Sequence, residues 1–219
     1  MSTFRHLDLP DGKLTLSPDG RLSAASADRN QAAILGVLDR YAPKRGRALE
    51  IASGTGQHIA RFASETPDVE WLPTDADDRR LDSIDAWRAH SGATNLLPPR
   101  LLDATALPWP DELGHFNLIL LINLLHLISE AETENLLRGV STSLKPGGTF
   151  LLYGPFRRAG ILTSSEDQAF HARLKAQDPQ IGYKDDVWVR TRAAEHGLGV
   201  WHVAKMPANN VAIVFRTAG

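Results

Sequence analysis

The chain has 219 residues, a formal net charge of −2 and no cysteine. The lack of cysteine excludes disulfide bonds, thiolate zinc sites and cysteine nucleophiles, and the lack of a basic stripe disfavours a nucleic-acid partner. Hydrophobic residues make up 42% of the sequence and charged residues 23%, which is typical of one soluble α/β domain. Without a signal peptide or an apolar run of membrane-spanning length, we expect a cytoplasmic protein with no membrane partner.

The segment 1–25 is rich in Gly, Pro, Asp and Ser and is predicted to be an irregular arm, so the domain is expected to span residues 26–219. A helix is predicted to begin at Ser26 or Asp28, because apolar residues recur on one stripe until Pro43. Beyond it, strand and helix patterns alternate. The predicted strands are 47–52, 69–72, a weak one ending at 101–103, 116–123, 149–153, 200–205 and 211–216, with helices at 57–65, around 81–91, from 129, from 165 and at 186–196.

This alternation predicts a doubly wound α/β fold with a single seven-stranded, mostly parallel sheet, because crossovers between parallel strands are right-handed. The last two strands are predicted to form an antiparallel C-terminal hairpin at the edge of the sheet. The run 116–122 is apolar throughout, which is typical of a strand covered on both faces. Two helices are predicted to open with capping boxes, formed by Ser129 with Glu132 and by Ser165 with Gln168.

The segment that follows the first strand of the sheet predicts a ligand site. Glu50 ends the alternating apolar pattern, and Gly54 and Gly56 follow where the strand should turn into a helix. Small residues let backbone N–H groups approach a ligand closely, and the helix adds a positive dipole end. We therefore predict a pocket for a nucleoside-like, partly cationic ligand. A dinucleotide fingerprint is disfavoured because Ile59 occupies its third small position, and no P-loop is present.

This order of an acid, a small residue and Gly-x-Gly resembles the first motif of class I S-adenosylmethionine-dependent methyltransferases. The resemblance extends to Asp75 and Asp103, which end the next two predicted strands, and to the turn at 144–148. It implies a Rossmann-like methyltransferase fold with S-adenosylmethionine as cofactor. It also implies that Asp75 binds both ribose hydroxyls and that Asp103, with Ala104, reads the adenine amino group.

A closer likeness is to a family of small methyltransferase-like proteins of uncharacterised substrate. It rests on the segments 48–58, 153–156, 163–164, 178–179 and 206–210, on Asn123 with His126, and on the Arg-Asn pair at 29–30. The chain departs from the wider patterns at Ala52, which replaces a glycine, at Asn117, where many members have Asp, and at 127–130. The cofactor-binding residues that these resemblances imply are Arg29, Asn30, Glu50, Ala52, Ser53, Gly54, Gly56, His58, Asp75, Asp103, Ala104 and Asn123.

Methyl transfer depends mainly on orienting the acceptor and desolvating the cation, so few residues need to carry chemistry. His126 follows the central strand and is the candidate general base, with a capped structural histidine as the alternative. Tyr153 is predicted either to orient the acceptor or to fill the mouth of the sheet. The predicted substrate-binding residues are Arg157, Asn209 and Asn210, with a solvated arginine and a backbone-driven turn as the alternatives.

The leading functional hypothesis is methyl transfer to a small-molecule acceptor, with the insertion at 154–199 as the acceptor lid. The first alternative is a non-catalytic protein that binds S-adenosylmethionine and has a regulatory role. The second is an NAD-linked oxidoreductase. The histidines show no ligand spacing, so no metal is predicted, and a monomer or homodimer is expected.

Overall fold

A computed structural model of the chain describes Leu7, Leu9 and residues 14–219. Two short strands pair near the start of this range, inside the segment predicted to be irregular; the rest of that arm, at 1–6, 8 and 10–13, lies outside the described residues. The strands are β1 (Thr15–Leu16), β2 (Leu22–Ser23), β3 (Gly46–Ile51), β4 (Val69–Asp75), β5 (Arg100–Leu101), β6 (Phe116–Ile122), β7 (Leu144–Gly154), β8 (Gly199–Lys205) and β9 (Val211–Arg216).

The helices match the predicted ones closely in number and position. They are α1 (Ala25–Tyr41), α2 (Gln57–Glu65), α3 (Asp78–Ser91), α4 (Glu130–Ser143), α5 (Ser165–Gln177) and α6 (Asp186–Glu195), with two short 3-10 turns at Asp111–Leu113 and Leu125–Leu127. None of the helices in the described ranges is both long and apolar enough to cross a bilayer.

The main sheet has seven strands in the order β5-β4-β3-β6-β7-β9-β8, which confirms the predicted doubly wound, mostly parallel architecture. The antiparallel C-terminal hairpin is also confirmed, because β9 pairs antiparallel with both β7 and β8. The antiparallel strand β9 is inserted second from the edge, and the edge strand β8 runs parallel to the rest of the sheet.

The apolar run of β6 is covered on both faces, as predicted. Ile119 and Leu121 belong to a core shared with α4 and α6, whereas Leu118 and Leu120 belong to a core shared with α1 and α2. Successive side chains of a strand point to opposite faces, so one uninterrupted apolar run can supply both cores. The sheet is therefore the middle of three layers, and its carboxyl edge is left for loops.

The two predicted capping boxes have different outcomes. Ser129 Oγ accepts from the Glu132 N–H at 3.2 Å while Glu132 Oε2 accepts from the Ser129 N–H at 2.6 Å, which confirms the first. The capping box of Ser165 with Gln168 is wrong. Ser164 has the extended backbone of an N-cap and its hydroxyl accepts from the Asp167 N–H at 3.1 Å, so the N-cap of α5 lies one residue earlier than predicted.

The insertion between β7 and β8 carries α5 and α6 and has a small core of its own. It is fixed to the turn after β6, where the Gly182 N–H donates to His126 O at 3.0 Å and Lys184 Nζ donates to Ile128 O at 2.6 Å. These bonds hold the insertion near the carboxyl ends of β6 and β7. Its core consists of Leu174, Ile181 and Tyr183, against which Leu7, Leu9, Leu127, Leu162 and Phe170 pack.

Candidate active site

The loop between β3 and α2 is held against the tip of β4. The Ser53 N–H donates to Thr74 O at 2.8 Å, and the Gly54 N–H donates to Asp75 Oδ2 at 2.8 Å. Ala52 and Gly54 both adopt left-handed backbone angles, with φ of 53° and 58°. The loop is therefore fixed in shape at the carboxyl ends of parallel strands, where ligands of open α/β sheets bind.

The two glycines of this loop meet different surroundings. Gly56 has φ +90°, and a Cβ there would lie 2.8 Å from Ile84 Cα on α3, so the packing of α2 against α3 requires glycine. Gly54 has φ +58°, and the nearest atom to its Cβ position is Ala52 O at 3.9 Å. The space beside Gly54 is open to a ligand, whereas the space beside Gly56 is filled by protein.

Two side chains at the end of β3 and in the loop after it carry buried atoms that make no hydrogen bond of ordinary geometry. Glu50 and Ser53 are 2% and 6% exposed and lie near each other, and Glu50 Oε2 and Ser53 Oγ have no such partner among the described residues. Burial, with a smaller contribution from the nearby Asp75 carboxyl, raises the pKa of Glu50 to about 8. Leaving a buried polar atom unpaired costs about 1–3 kcal/mol, so such atoms are expected where a ligand supplies the missing bonds.

The other two predicted carboxylates already bond backbone groups. Asp75 is 8% exposed and accepts from the Gly54 N–H and, at 3.0 Å, from the Asp77 N–H. Asp77 itself, rather than Asp75, is the N-cap of α3. Asp103 Oδ1 accepts from the Thr105 N–H at 2.9 Å and from its hydroxyl at 2.6 Å. A carboxylate has about four acceptor positions, so both can still accept bonds from a ligand.

The side chain of Gln57 connects α1 to the loop between β3 and α2 (residues 52–56, the glycine loop). Sequence analysis missed this connection. Gln57 Oε1 accepts from the Ala24 N–H at 2.6 Å, and its Nε2 donates to Asp28 Oδ1 at 2.9 Å. Nothing in the sequence marks the first residue of α2 as buried, because the pairing depends on where the fold brings α1. The bond sets the first turn of α1, with Arg29 exposed and Asn30 buried, beside the loop.

The polar side chains at the mouth of the sheet come from several separate elements. Asn30 Oδ1 lies 2.6 Å from His58 Nε2, and burial lowers the pKa of His58 to about 4, so this imidazole is neutral. The buried Tyr153 hydroxyl lies near the side chains of Asn30 and Asn210 and makes no hydrogen bond of ordinary geometry. The Asn123 N–H donates to Tyr153 O at 2.9 Å, which joins the ends of β6 and β7.

His126 is enclosed by the insertion. It is 6% exposed, and its ring makes edge contacts with Phe170 and Tyr183 at centroid distances of 5.7 and 6.0 Å. Burial, and to a lesser extent the charge of Lys184, lowers the pKa of His126 to about 3. An imidazole of this basicity has little driving force to take a proton near neutral pH. This environment favours the structural alternative for His126.

The hairpin turn between β8 and β9 is tied to the insertion through Asn209. Its Nδ2 donates to Thr163 Oγ1 at 2.7 Å and also to Asp167 Oδ2. Asp167 Oδ1 accepts from the Tyr183 hydroxyl at 3.2 Å. Asn210 Nδ2 bonds carbonyl groups of its own turn. Sequence analysis missed Asp167, because an acid on a polar helix carries no signal of burial.

The remaining predicted contacts lie around this group. Ala104 is buried, and its carbonyl accepts from Trp109 Nε1 at 3.2 Å. Arg157 is half-buried just after β7, where its N–H donates to Lys184 O at 2.9 Å. Within the described part of the chain, no three His, Asp or Glu side chains are grouped so that they could hold a metal ion.

A sequence model of the family described as "Protein of unknown function (DUF938)" matches residues 21–217. The chain belongs to this family. The match includes the glycine loop, the insertion and the terminal hairpin, so the whole candidate site of this DUF938 protein lies within the family's shared region.

Solved structures with the same fold are methyltransferases. Human N-acetylserotonin methyltransferase in complex with SAM has a TM-score of 0.71 at 16% identity, over 89% of this chain and 53% of its own. An O-methyltransferase family protein from Burkholderia thailandensis has a TM-score of 0.72 at 14% identity, over 86% of this chain and 56% of its own. The DUF938 chain thus spans about half the length of these two proteins.

A third neighbour is similar in size. It is a candidate methyltransferase in complex with the Trm112 methyltransferase activator of Haloferax volcanii, with a TM-score of 0.69 at 15% identity over 88% of this chain and 92% of its own. At these identities the likeness shows the fold. The DUF938 protein has the class I methyltransferase fold.

Proposed function

We propose that this protein binds S-adenosylmethionine at the carboxyl ends of β3, β4 and β5 and transfers its methyl group to a small-molecule acceptor. The observation that carries the proposal is the pair of buried atoms without a hydrogen bond of ordinary geometry, Glu50 Oε2 and Ser53 Oγ, at the end of β3 and in the loop that contains the open space at Gly54. Support for the ligand comes from neighbours of the same fold, one described as a SAM complex and another as an SAH-bound form.

The residues of the loop fit the groups of this cofactor. When bound, it supplies an electrophilic methyl group on a sulfonium centre. Glu50 offers an acceptor for an ammonium group, and Ser53 offers a hydroxyl that can donate or accept. Asp75 and Asp103 retain acceptor positions for ribose hydroxyls and an adenine amino group. Asp75 has a second task, since it also holds the Gly54 N–H.

Glu50 should change its protonation when a cationic ligand binds. With a pKa raised by burial to about 8, it is mostly neutral at pH 7 in the free protein. A positive charge within a few ångströms favours the carboxylate. Glu50 therefore releases a proton as it pairs with the ligand, and binding should become coupled to pH.

On the acceptor side, Tyr153 is proposed to orient the substrate. Burial raises the pKa of Tyr153, so its hydroxyl stays protonated and can donate a hydrogen bond. The amides of Asn30 and Asn210 beside it add neutral donors and acceptors. Orientation and the exclusion of water then carry the reaction, and no base is needed for an acceptor that is already unprotonated. His126 is proposed to form part of the wall of the acceptor site.

A second candidate function is a binding protein that keeps the cofactor pocket without turnover. The weak basicity of His126 favours it, since the pKa of this residue is lowered by burial to about 3. Release of S-adenosylhomocysteine across a panel of phenols, amines, thiols and carboxylic acids separates the two candidates. Turnover of any class identifies an enzyme, and silence across all classes favours the binder.

Calorimetry with S-adenosylmethionine, S-adenosylhomocysteine and NAD tests the proposed ligand. We expect micromolar binding of the first two, no binding of NAD, and at least ~10-fold weaker S-adenosylmethionine binding by Glu50→Gln, because a charge-assisted bond is lost. Glu65→Gln, which removes an exposed acid of α2, is the matched control and should bind normally. Binding of NAD in place of S-adenosylmethionine and S-adenosylhomocysteine would overturn the proposal.

A further inference from the structure

Arg157 is a half-buried arginine whose charge is not neutralised. Its Nε is buried and has no hydrogen-bond partner, and none of the described acids forms an ion pair with it. Its backbone is well held, because the N–H donates to Lys184 O and the carbonyl accepts from the Asp186 N–H, both at 2.9 Å. The backbone of Arg157 is thus fixed by two hydrogen bonds, and its side chain has no hydrogen-bond or ion-pair partner among the described residues.

The acids around Arg157 bond to other groups of the protein. Asp185 caps α6 by accepting from the first N–H groups of that helix. Asp186 forms an ion pair with Arg190 at 3.0 Å. Asp167 is taken by the Tyr183 hydroxyl and the Asn209 amide. Each of these acids bonds other groups, and none of them forms an ion pair with Arg157.

Two lysines also lie near Arg157. Burial is the main cause that lowers the pKa of His171, and the charges of Arg157, Lys175 and Lys184 lower it further. Lys184 Nζ is bonded to Ile128 O at 2.6 Å and Gly182 O at 3.0 Å, and Lys175 Nζ to Pro179 O at 2.7 Å. Both ammonium groups thus donate to carbonyl groups, whereas the guanidinium of Arg157 donates to none of the described residues, which makes it the best placed of these cations to bind an anion.

We propose that Arg157 binds a carboxylate of the methyl acceptor. This rests on the proposed function, and it names the class of substrate. A guanidinium presents two parallel N–H groups that match a carboxylate, and burying an unpaired cation is costly. A single available guanidinium suits a singly charged carboxylate better than a phosphate. Arg157 follows Tyr153, the residue proposed to orient the acceptor, by four residues in the chain, so a carboxylate of the acceptor is expected near both.

The test measures binding of three probes, sodium benzoate, benzamide and inorganic phosphate, at matched ionic strength. Dissociation constants are obtained by NMR titration, with and without S-adenosylhomocysteine, and the Nε–H signal of Arg157 is followed directly. We expect benzoate to shift that signal and to bind at least ~10-fold more weakly to Arg157→Gln, and benzamide to have no effect. Arg61→Gln, which removes one positive charge from the surface of α2, is the control and should bind benzoate normally.

Equal benzoate affinity in the wild type and Arg157→Gln, or no binding of benzoate, overturns the proposal. Selective binding of phosphate overturns the assignment to a carboxylate. Weaker S-adenosylhomocysteine binding by Arg157→Gln would assign the anion to the cofactor instead. If Arg157→Gln does not fold, Arg157→Lys and the wild-type Nε–H signal still decide the question. Failure of the wild type to bind S-adenosylhomocysteine overturns the proposed function alone, because benzoate binding is also measured without it.

Discussion

The Gly54 N–H donates a hydrogen bond of 2.8 Å to Asp75 Oδ2, so the turn after one strand is held by the tip of its neighbour. This bond links the loop beside Glu50, which is proposed to hold the ammonium group of the ligand, to the carboxylate that is proposed to hold its ribose. It also means that Asp75 has both a structural and a binding task. A substitution there must therefore be judged by stability and by affinity together.

We predict that Asp75→Ala weakens S-adenosylmethionine binding by about 1–3 kcal/mol and also destabilises the fold, because the Gly54 and Asp77 N–H groups lose their acceptor. Asp75→Asn keeps one acceptor oxygen and should lose less stability. Calorimetry and urea unfolding of both variants provide the measurements. Asp85→Ala, an exposed acid of α3, is the control. Unchanged affinity of Asp75→Ala would remove this residue from the site.

The two glycines should separate packing from binding. Gly56→Ala is expected to lose roughly 3 kcal/mol of stability, because a Cβ at positive φ would meet Ile84 Cα at 2.8 Å. Gly54→Ala should lose only about 1 kcal/mol but bind the cofactor poorly, since its Cβ enters the open space. Urea unfolding and calorimetry distinguish these effects. The interpretation is wrong if Gly54→Ala binds like the wild type.

Glu50 should make the free protein less stable as pH rises. Its folded pKa, raised by burial from 4.5 to about 8, means that the native state holds a proton that the unfolded state has released between these values. The free energy of unfolding should therefore fall by about 1.4 kcal/mol per pH unit in this window, relative to Glu50→Gln. Urea unfolding of both proteins from pH 5 to 8 measures the difference. Parallel curves would contradict the burial of this acid.

His126 should have the opposite effect at lower pH. Burial lowers its pKa from 6.5 to about 3, so the unfolded state binds a proton that the native state does not. Stability from this group is present above pH 6.5 and is lost as pH falls toward 3. His126→Leu has no group that titrates at this position. The free energy of unfolding of the wild type should therefore fall relative to that of the variant as the pH is lowered. Thermal unfolding of both proteins between pH 4 and 7 tests this prediction. His90→Leu, at an exposed position of α3, is the control.

The tie between the hairpin and the insertion should contribute cooperatively to stability. Asp167→Ala leaves the Tyr183 hydroxyl and the Asn209 amide without their shared acceptor, for an expected loss of about 1–3 kcal/mol. Asn209→Ala should lose less stability in the Asp167→Ala background than in the wild type, because the bond between the two side chains is already absent there. A double-mutant cycle by urea unfolding measures this coupling. Additive losses would show that the two side chains act independently.

The parts of the fold that sequence predicted are those with a local signature. The apolar run of β6 indicated a strand buried on both faces, and Ser129 with Glu132 indicated a helix start, because each pattern is complete within a few residues. The N-cap of α5 is Ser164 and not the predicted Ser165. Sequence alone could not choose between them, because two adjacent serines have the same chemistry. The place of β9 depends on strand pairing across the whole sheet.

The residues of the candidate site likewise divide into those with a local sequence signature and those without one. Glu50 and Gly54 stand out in the sequence because an acid and a small residue at a strand end carry a binding pattern. The contact of Gln57 with Asp28 and that of Asp167 with Asn209 join residues far apart in the chain, and neither member of a pair is unusual alone. The burial of His126 beneath the insertion is likewise a property of the tertiary structure.

The insertion of β9 between β7 and β8 has a consequence for synthesis on the ribosome. Strand β8 leaves the ribosome first, yet it has no neighbour to pair with until β9 has followed it. Until then β7 is the edge of the sheet and presents an open row of backbone groups, which is a template for association with other chains. We therefore expect the nascent chain to be prone to association until residues 211–216 have emerged and paired with β7.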